Sequence, residues 1–146
     1  MNLKFTYELK RVGTKKRDLR SGNEMINSND RLNKYVKAEL TAHLRKLSAE
    51  VAKKTYEHPE RIMFSEVNPC HIGVIVHPPT NRRMDAPNWY PTVKALIDGL
   101  TDAGVFEDDN NKVVTSMTFI PGVKTKNKKY RIELDIREGV NALWQT

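Results

Sequence analysis

Three aspartates flank one short helical segment of the sequence. Asp85 lies in a polar stretch that follows an alternating apolar run, and Asp108 and Asp109 precede the next run of this kind. Carboxylates brought together in a basic protein repel one another unless a cation lies between them, and Mg²⁺ prefers oxygen ligands. A bound Mg²⁺ can activate water and stabilise the leaving oxygen of a phosphodiester. The spacing therefore allows a hydrolytic metal centre, and it equally allows acids that form turns or cap a helix.

Lys94 and Asp98 stand four residues apart on the segment that connects these acids. Side chains at this spacing meet on one face of a helix, so one interpretation is a surface ion pair worth a few tenths of a kcal/mol. The other interpretation is a lysine that contacts a phosphate group beside the acidic cluster. The sequence alone leaves both open.

The composition favours a polyanionic partner. The 146 residues include 25 Lys and Arg against 18 Asp and Glu, a formal net charge of +7, as nucleic-acid-binding domains often have. The length predicts a single domain over residues 1–146. One cysteine, Cys70, excludes an internal disulfide framework and suits the cytoplasm. No apolar run is long enough for a membrane span, and the first residues lack the apolar core of a signal peptide, so we expect a cytoplasmic protein without membrane contact.

Apolar periodicity predicts the first half of the fold. Residues 3–10 alternate between apolar and polar side chains, as in a strand with one buried face. Residues 11–29 lose this pattern and predict a mobile basic loop, either solvated or binding phosphate groups. Ser28 or Asn29 then caps a helix with apolar residues at steps of three and four, among them Leu32 and Tyr35. That helix ends before Pro59, since proline disfavours helix at the preceding residue.

The second half predicts the elements that must hold the acids. Residues 70–77 alternate as a central strand that ends at a Pro-Pro pair. A helix over residues 91–103 begins with proline and ends before Gly104, and residues 113–120 and 128–136 predict two further strands. The order β-α-β-α-β-β predicts a single α+β domain in which a mixed sheet is layered with two helices.

Several separated positions form one pattern. They are Arg82, Arg83, Met84, Asp85 and Asn88, then Lys94 and Asp98, the run 99–104, Asp108 and Asp109, and Val113 and Val114. This pattern, which spans residues 82–114, resembles the RusA-type Holliday junction resolvases, the crossover-junction endodeoxyribonucleases typical of phages and prophages. The predicted order of helices and strands agrees with a RusA-like fold.

The resemblance implies a homodimeric, Mg²⁺-dependent enzyme, with Mn²⁺ as a substitute metal. Such enzymes recognise branched DNA by its shape and nick two strands symmetrically across a four-way junction. By position in the motif, Asp85, Asp108 and Asp109 are the expected metal ligands and catalytic acids, and Asp109 is the strongest candidate of the later pair. Lys94 is the expected catalytic lysine, which neutralises charge at the scissile phosphate.

Basic clusters in predicted loops and at strand edges are the expected DNA contacts, together with an asparagine that closes the acidic loop motif. These residues are Lys15, Lys16, Arg17, Arg20, Arg82, Arg83, Asn88, Lys124, Lys126, Lys128 and Lys129. Beside the acidic loop, Trp89 and Tyr90 are adjacent aromatic residues. We expect one to be buried, and an exposed ring there can stack on an unpaired base at a branch point.

The sequence departs from the family pattern in two places. The family motif has a second aspartate where this chain has Pro87, and the segment from Asn88 to Lys94 is longer than its counterpart. Asn88, Asp98 or Glu66 can supply the missing oxygen ligand, and the sequence does not rank them.

The alternative function is a catalytically silent DNA-binding homodimer that retains the fold. A second alternative is a structural homodimer whose basic loops meet a protein partner.

Overall fold

The computed structural model describes residues 2–13, 16–55 and 62–139. Its central element is one mixed sheet. Its four strands are β1 (Asn2–Leu9), β2 (Cys70–His77), β3 (Val114–Pro121) and β4 (Tyr130–Glu138). The strand order is β1-β4-β2-β3, with β4 antiparallel to both neighbours and β3 parallel to β2. The prediction of a small α+β domain with a mixed sheet and two helices is confirmed.

Strict alternation buries one face of the sheet. In β1, the side chains of Leu3, Phe5, Tyr7 and Leu9 are buried and the residues between them are exposed. The partner strand β4 places its own buried residues in register with them, with Leu134 opposite Phe5. Matching apolar faces on paired strands remove a continuous apolar surface from water, which is the main favourable contribution to folding.

Two helices pack against each other in this domain: α1 (Lys34–Thr55) and α2 (Tyr90–Asp102). A short 3₁₀ turn, Ala86–Trp89, leads into α2. The buried Tyr7 hydroxyl lies 2.7 Å from Ser48 Oγ and so ties β1 to α1. Within the described ranges, no helix is both long and apolar enough to cross a membrane.

Helix α1 begins later than the sequence predicts. The predicted caps, Ser28 and Asn29, precede a further irregular stretch, and the Asn33 side chain accepts hydrogen bonds from the first-turn N–H groups instead. Ser28 is engaged elsewhere, because its N–H and its hydroxyl both donate to the Asn88 carbonyl, at 2.7 and 3.0 Å. The predicted apolar stripe is also wrong at Tyr35, which is 74% exposed.

The described residues of segment 11–29 form no helix or strand, as predicted, but they are packed into the domain rather than loosely attached. Met25 and Ile26 belong to the apolar core, and Asn23 is fully buried. The Asn23 amide donates to the carbonyls of Arg17 and Met25, at 3.0 and 2.8 Å. The prediction of a mobile loop is therefore corrected for these residues, because buried hydrogen bonds and apolar contacts hold them. Lys15 lies outside the described residues.

Asp30 holds this segment together. Its carboxylate accepts two hydrogen bonds from the Arg11 guanidinium, at 2.7 and 2.8 Å, one from Arg17 at 2.7 Å, and one from the Asn27 N–H at 2.9 Å. The Asp30 side chain is only 2% exposed and the Arg11 side chain 12%. A buried carboxylate needs this many donors, because an unpaired charge in the interior is costly.

We expect Asp30→Asn to lower the free energy of unfolding by about 3 kcal/mol, because Arg11 stays buried without an anion. Burial raises the pKa of Asp30, but the hydrogen bonds from Arg11 and the Asn27 N–H, with both arginine charges, lower it overall. The folded pKa thus lies below the unfolded value of about 3.9. This contribution to stability is present above about pH 4 and is lost as the pH falls through the folded pKa.

Urea denaturation of both proteins at pH 7 and at acid pH measures this effect. The difference between the variant and the wild type should be largest at pH 7 and should shrink on acidification. Equal urea midpoints at pH 7 would contradict a stabilising role for the Asp30 carboxylate.

Candidate active site

Helix α2 presents one polar face beside an apolar one. Val93, Leu96 and Leu100 are fully buried. At the start of the helix, the buried Thr92 hydroxyl accepts a hydrogen bond from the Ile26 N–H and donates to the Ile26 carbonyl, both at 2.8 Å. These contacts fix the helix, so its polar face has a defined position relative to the turn that follows.

Lys94 lies at the centre of the polar cluster. Its ammonium group donates a hydrogen bond to Asp98 Oδ1 at 2.8 Å and another to Asp109 Oδ2. The i,i+4 pairing of Lys94 with Asp98 is therefore confirmed, and Asp109 reaches the same ammonium group from the turn after α2. We call these three residues the Lys94 cluster. Its side chains are partly buried, which strengthens the attraction between the charges relative to bulk water.

The cluster fixes the charges of two of its members. Burial lowers the pKa of Lys94, but its bonds to Asp109 and Asp98 outweigh burial and raise this pKa to about 12. Burial raises the pKa of Asp109, but the hydrogen bond and the charge of Lys94 hold it below the ordinary value. At neutral pH, Lys94 is therefore a cation that does not accept protons, and Asp109 is an anion.

Asp108 shapes the turn that positions Asp109. Asp108 Oδ1 accepts the Asp109 N–H at 2.7 Å, and Oδ2 accepts the Asn110 amide at 3.2 Å. The Asn110 side chain in turn accepts the Lys112 N–H at 2.9 Å. Asp108 itself lines a separate cavity of about 670 Å³ that also includes Glu66. Asp108 therefore forms the turn, whereas the Asp109 carboxylate contacts the Lys94 ammonium group.

Asp85 is placed apart from the Lys94 cluster. Its side chain is 60% exposed, and it pairs with Arg83, whose Nε lies 3.9 Å away. It borders a cavity of about 410 Å³ together with Trp89 and Tyr130. In the part of the chain that the structure describes, no three His, Cys, Asp or Glu side chains are grouped so that they could hold a metal ion. The role of Asp85 as a third ligand stays a prediction.

The expected DNA contacts fall into three groups. Lys16, Arg17 and Arg20 line an open cavity of about 510 Å³ near the start of α1. Arg82 and Arg83 lie on the 410 Å³ cavity, which Arg17 also borders, so Arg17 lies between these two basic groups. Exposed or half-exposed lysines form the third group, in the turn between β3 and β4; they are Lys124, Lys126, Lys128 and Lys129. The backbone of Lys128 has a positive φ of 64°, so the predicted strand begins only at Tyr130.

Asn88 and the adjacent aromatic residues are well defined. The Asn88 backbone closes the short turn, since its N–H donates to the Asp85 carbonyl at 3.0 Å and its carbonyl accepts from Ser28. Trp89 is 4% exposed and Tyr90 is 44% exposed. The prediction that one of the two rings is buried is confirmed.

Sequence reasoning missed three residues at this site. Arg11, Asp30 and Tyr130 border or support the cavity beside Asp85, but they come from separate parts of the chain. No periodicity or motif links residues so far apart. Only the pairing of β4 with β1 and the packing of segment 11–29 bring them together.

No protein-family model matches this chain, and a search of curated proteins finds no match either.

Proposed function

We propose that this protein is a Mg²⁺-dependent endodeoxyribonuclease that acts as a homodimer on four-way junctions or other branched DNA in the cytoplasm. One observation carries the proposal: Asp98 and Asp109 share the ammonium group of Lys94. Lys94 and Asp109 are the residues that the resemblance to RusA-type resolvases assigns to catalysis, and they meet although 15 residues separate them.

The carboxylates of the Lys94 cluster suit a divalent cation. Asp98 and Asp109 direct one oxygen each to the same cationic group. Mg²⁺ is usually held by one or two carboxylates and completed by water and substrate phosphate oxygens. Asp98 and Asp109 fit this donor set, and Asp98 offers the oxygen that Pro87 lacks. When bound, the metal would supply Lewis-acid chemistry and an activated water molecule.

Lys94 acts through its fixed charge. With a pKa raised to about 12, it stays protonated and serves as an electrostatic group rather than a base. Two carboxylates fix the position of its ammonium group before substrate arrives. A preorganised cation stabilises negative charge that develops at a phosphate group without the cost of reorientation. Lys94 is therefore suited to stabilise the charge on the scissile phosphate.

The basic groups supply attraction for the DNA backbone. Arg82 and Arg83 line the same cavity as Asp85, and exposed lysines lie in the turn between β3 and β4, which precedes Tyr130. Phosphate contacts of this kind position nucleic acid without reading its sequence. A two-fold enzyme also suits a two-fold junction, because paired sites can cut opposite strands.

The test is cleavage of a synthetic four-way junction beside a linear duplex of matched sequence, with Mg²⁺, Mn²⁺ or EDTA. We expect paired, symmetric nicks in the junction alone, and only with metal. Tight junction binding without cleavage would instead establish the catalytically silent DNA-binding module. Failure to bind any nucleic acid would contradict both functions.

A further inference from the structure

The cavity beside Asp85 combines an aromatic wall with a basic rim. Its lining includes the rings of Trp89 and Tyr130 and the side chains of Arg82 and Arg83, and its volume is about 410 Å³. This volume lies within the range of about 300–1,000 Å³ that small-molecule sites occupy. We call it the arginine-aromatic cavity. The Lys94 cluster is not part of its lining.

The aromatic wall is built from two rings and a guanidinium group that lie close together. The Trp89 and Tyr130 ring centroids lie 4.9 Å apart with 57° between the planes, and the Arg11 guanidinium lies 5.1 Å from the centre of a Trp89 ring. Trp89 is almost fully buried, while Tyr130 is half-buried. Nucleic-acid bases stack on such aromatic rings and guanidinium planes.

The rim of the cavity is positively charged. Arg11, Arg17, Arg82 and Arg83 all line it, and the buried carboxylate of Asp30 offsets only one of the first two charges. The second pair faces solvent, since the Arg83 side chain is 91% exposed and lies 3.9 Å from Asp85. Positive charge therefore remains in excess, which favours an anionic ligand.

We propose that the arginine-aromatic cavity holds one unpaired nucleotide of the branched DNA. The base lies against Tyr130 at the edge of Trp89, and a phosphate group is bound by Arg82 and Arg83. A base inside a duplex is stacked on both faces and cannot enter a cavity, whereas an unpaired base can. This inference rests on the proposed function, because it assigns the nucleotide to that enzyme's substrate.

Trp89 itself can report binding. The sequence has two tryptophans, so the Trp144→Phe variant keeps Trp89 as the only one. In this background, thymidine 3′,5′-bisphosphate is titrated with EDTA present, and the fluorescence of Trp89 is recorded. We expect saturable quenching. Linear duplex should compete poorly, and single-stranded DNA should compete well.

Two variants and their controls test which side chains bind the phosphate group and which one stacks on the base. Arg82→Gln combined with Arg83→Gln should weaken binding about tenfold, because two charge-assisted phosphate contacts are lost. Tyr130→Leu should also weaken it about tenfold, because the stacking surface is lost, while Tyr130→Phe should bind as the parent does. Lys46→Gln combined with Lys54→Gln removes the same net charge from exposed positions of α1, and it should leave affinity unchanged. Thermal melting shows that each variant is folded.

The inference is overturned if all variants bind equally, if inorganic phosphate quenches Trp89 as effectively as the bisphosphate, or if duplex competes as well as single strands. Its failure is separable from failure of the proposed function, because the titration needs neither metal nor cleavage. Junction cleavage by a protein that does not bind the bisphosphate overturns this inference alone. Binding of the bisphosphate without junction cleavage supports the nucleotide site and argues against the nuclease.

Discussion

Asp109→Asn is expected to lower cleavage of a four-way junction about a hundredfold to a thousandfold, the size of effect seen when one preorganised electrostatic group is removed. The amide keeps the shape of the side chain but loses the charge that Lys94 and a divalent cation require. Junction binding should stay intact or become tighter, because one negative charge is removed from the proposed DNA-binding site. Cleavage rates and gel-shift affinities on the same junction measure both expectations.

Asp102→Asn is the matched control for this variant. Asp102 ends α2 and pairs with Arg45, with Arg45 Nη2 2.7 Å from Asp102 Oδ1, in an exposed position. Exposed ion pairs contribute about 1 kcal/mol or less, so this change should leave activity close to that of the wild type. If Asp109→Asn loses junction binding together with cleavage, Asp109 has a folding or docking role and the catalytic assignment fails.

The elements with local signals were predicted closely. The alternation of residues 3–10 corresponds to β1 at Asn2–Leu9, and the predicted helix 91–103 corresponds to α2 at Tyr90–Asp102. In both elements the residues that set the pattern are also the ones that pack in the core, so local and tertiary preferences agree. The start of α1 was wrong because Ser28, Asn29 and Asn33 are all suitable caps. The choice depends on the distant carbonyl of Asn88, which the local sequence does not contain.

The candidate site likewise contains some contacts that local sequence predicts and others that depend on distant residues. Helical spacing predicts the pairing of Lys94 with Asp98, because it depends on residues within one turn. The approach of Asp109 to Lys94 depends on the turn that Asp108 and Asn110 form after α2. Spacing alone could not distinguish a turn-forming acid from a clustered one, and only the resemblance favoured Asp109. The Asp30 network joins residues 13 and 19 positions apart within an irregular segment, where no periodic signal exists.

The structure bears on which acid would join Asp109 in holding a metal ion. The sequence pattern named Asp85 and Asp108 as metal ligands with Asp109, and it left Asn88, Asp98 and Glu66 as alternatives for the oxygen missing at Pro87. Asp98 shares Lys94 with Asp109, whereas Glu66 lines the same cavity as Asp108. Among the alternatives for the missing oxygen ligand, the geometry therefore favours Asp98. The position of α2 decides whether Asp98 can bind a metal ion together with Asp109.

Gly99→Ala is expected to destabilise the protein by about 3 kcal/mol, because it overpacks the contact between α1 and α2. A Cβ atom at Gly99 would lie 2.2 Å from the Arg45 carbonyl oxygen and 2.8 Å from Ser48 Cβ. The Arg45 carbonyl belongs to the helix backbone, so the conflict is relieved only if the two helices separate. For a chain of this length, such a loss lowers the melting temperature by about 10 °C.

Gly73→Ala separates this effect from the general cost of replacing a glycine. At Gly73, in β2, the nearest atoms to an added Cβ lie 3.9 Å away, which is ordinary contact, so its melting temperature should stay the same or rise. Because α2 carries Lys94 and Asp98, the helix shift caused by Gly99→Ala should also lower junction cleavage at temperatures where the variant is still folded. Equal melting temperatures for the two variants would show that the helices do not meet at Gly99, and the geometry assigned to the Lys94 cluster would then lose its support.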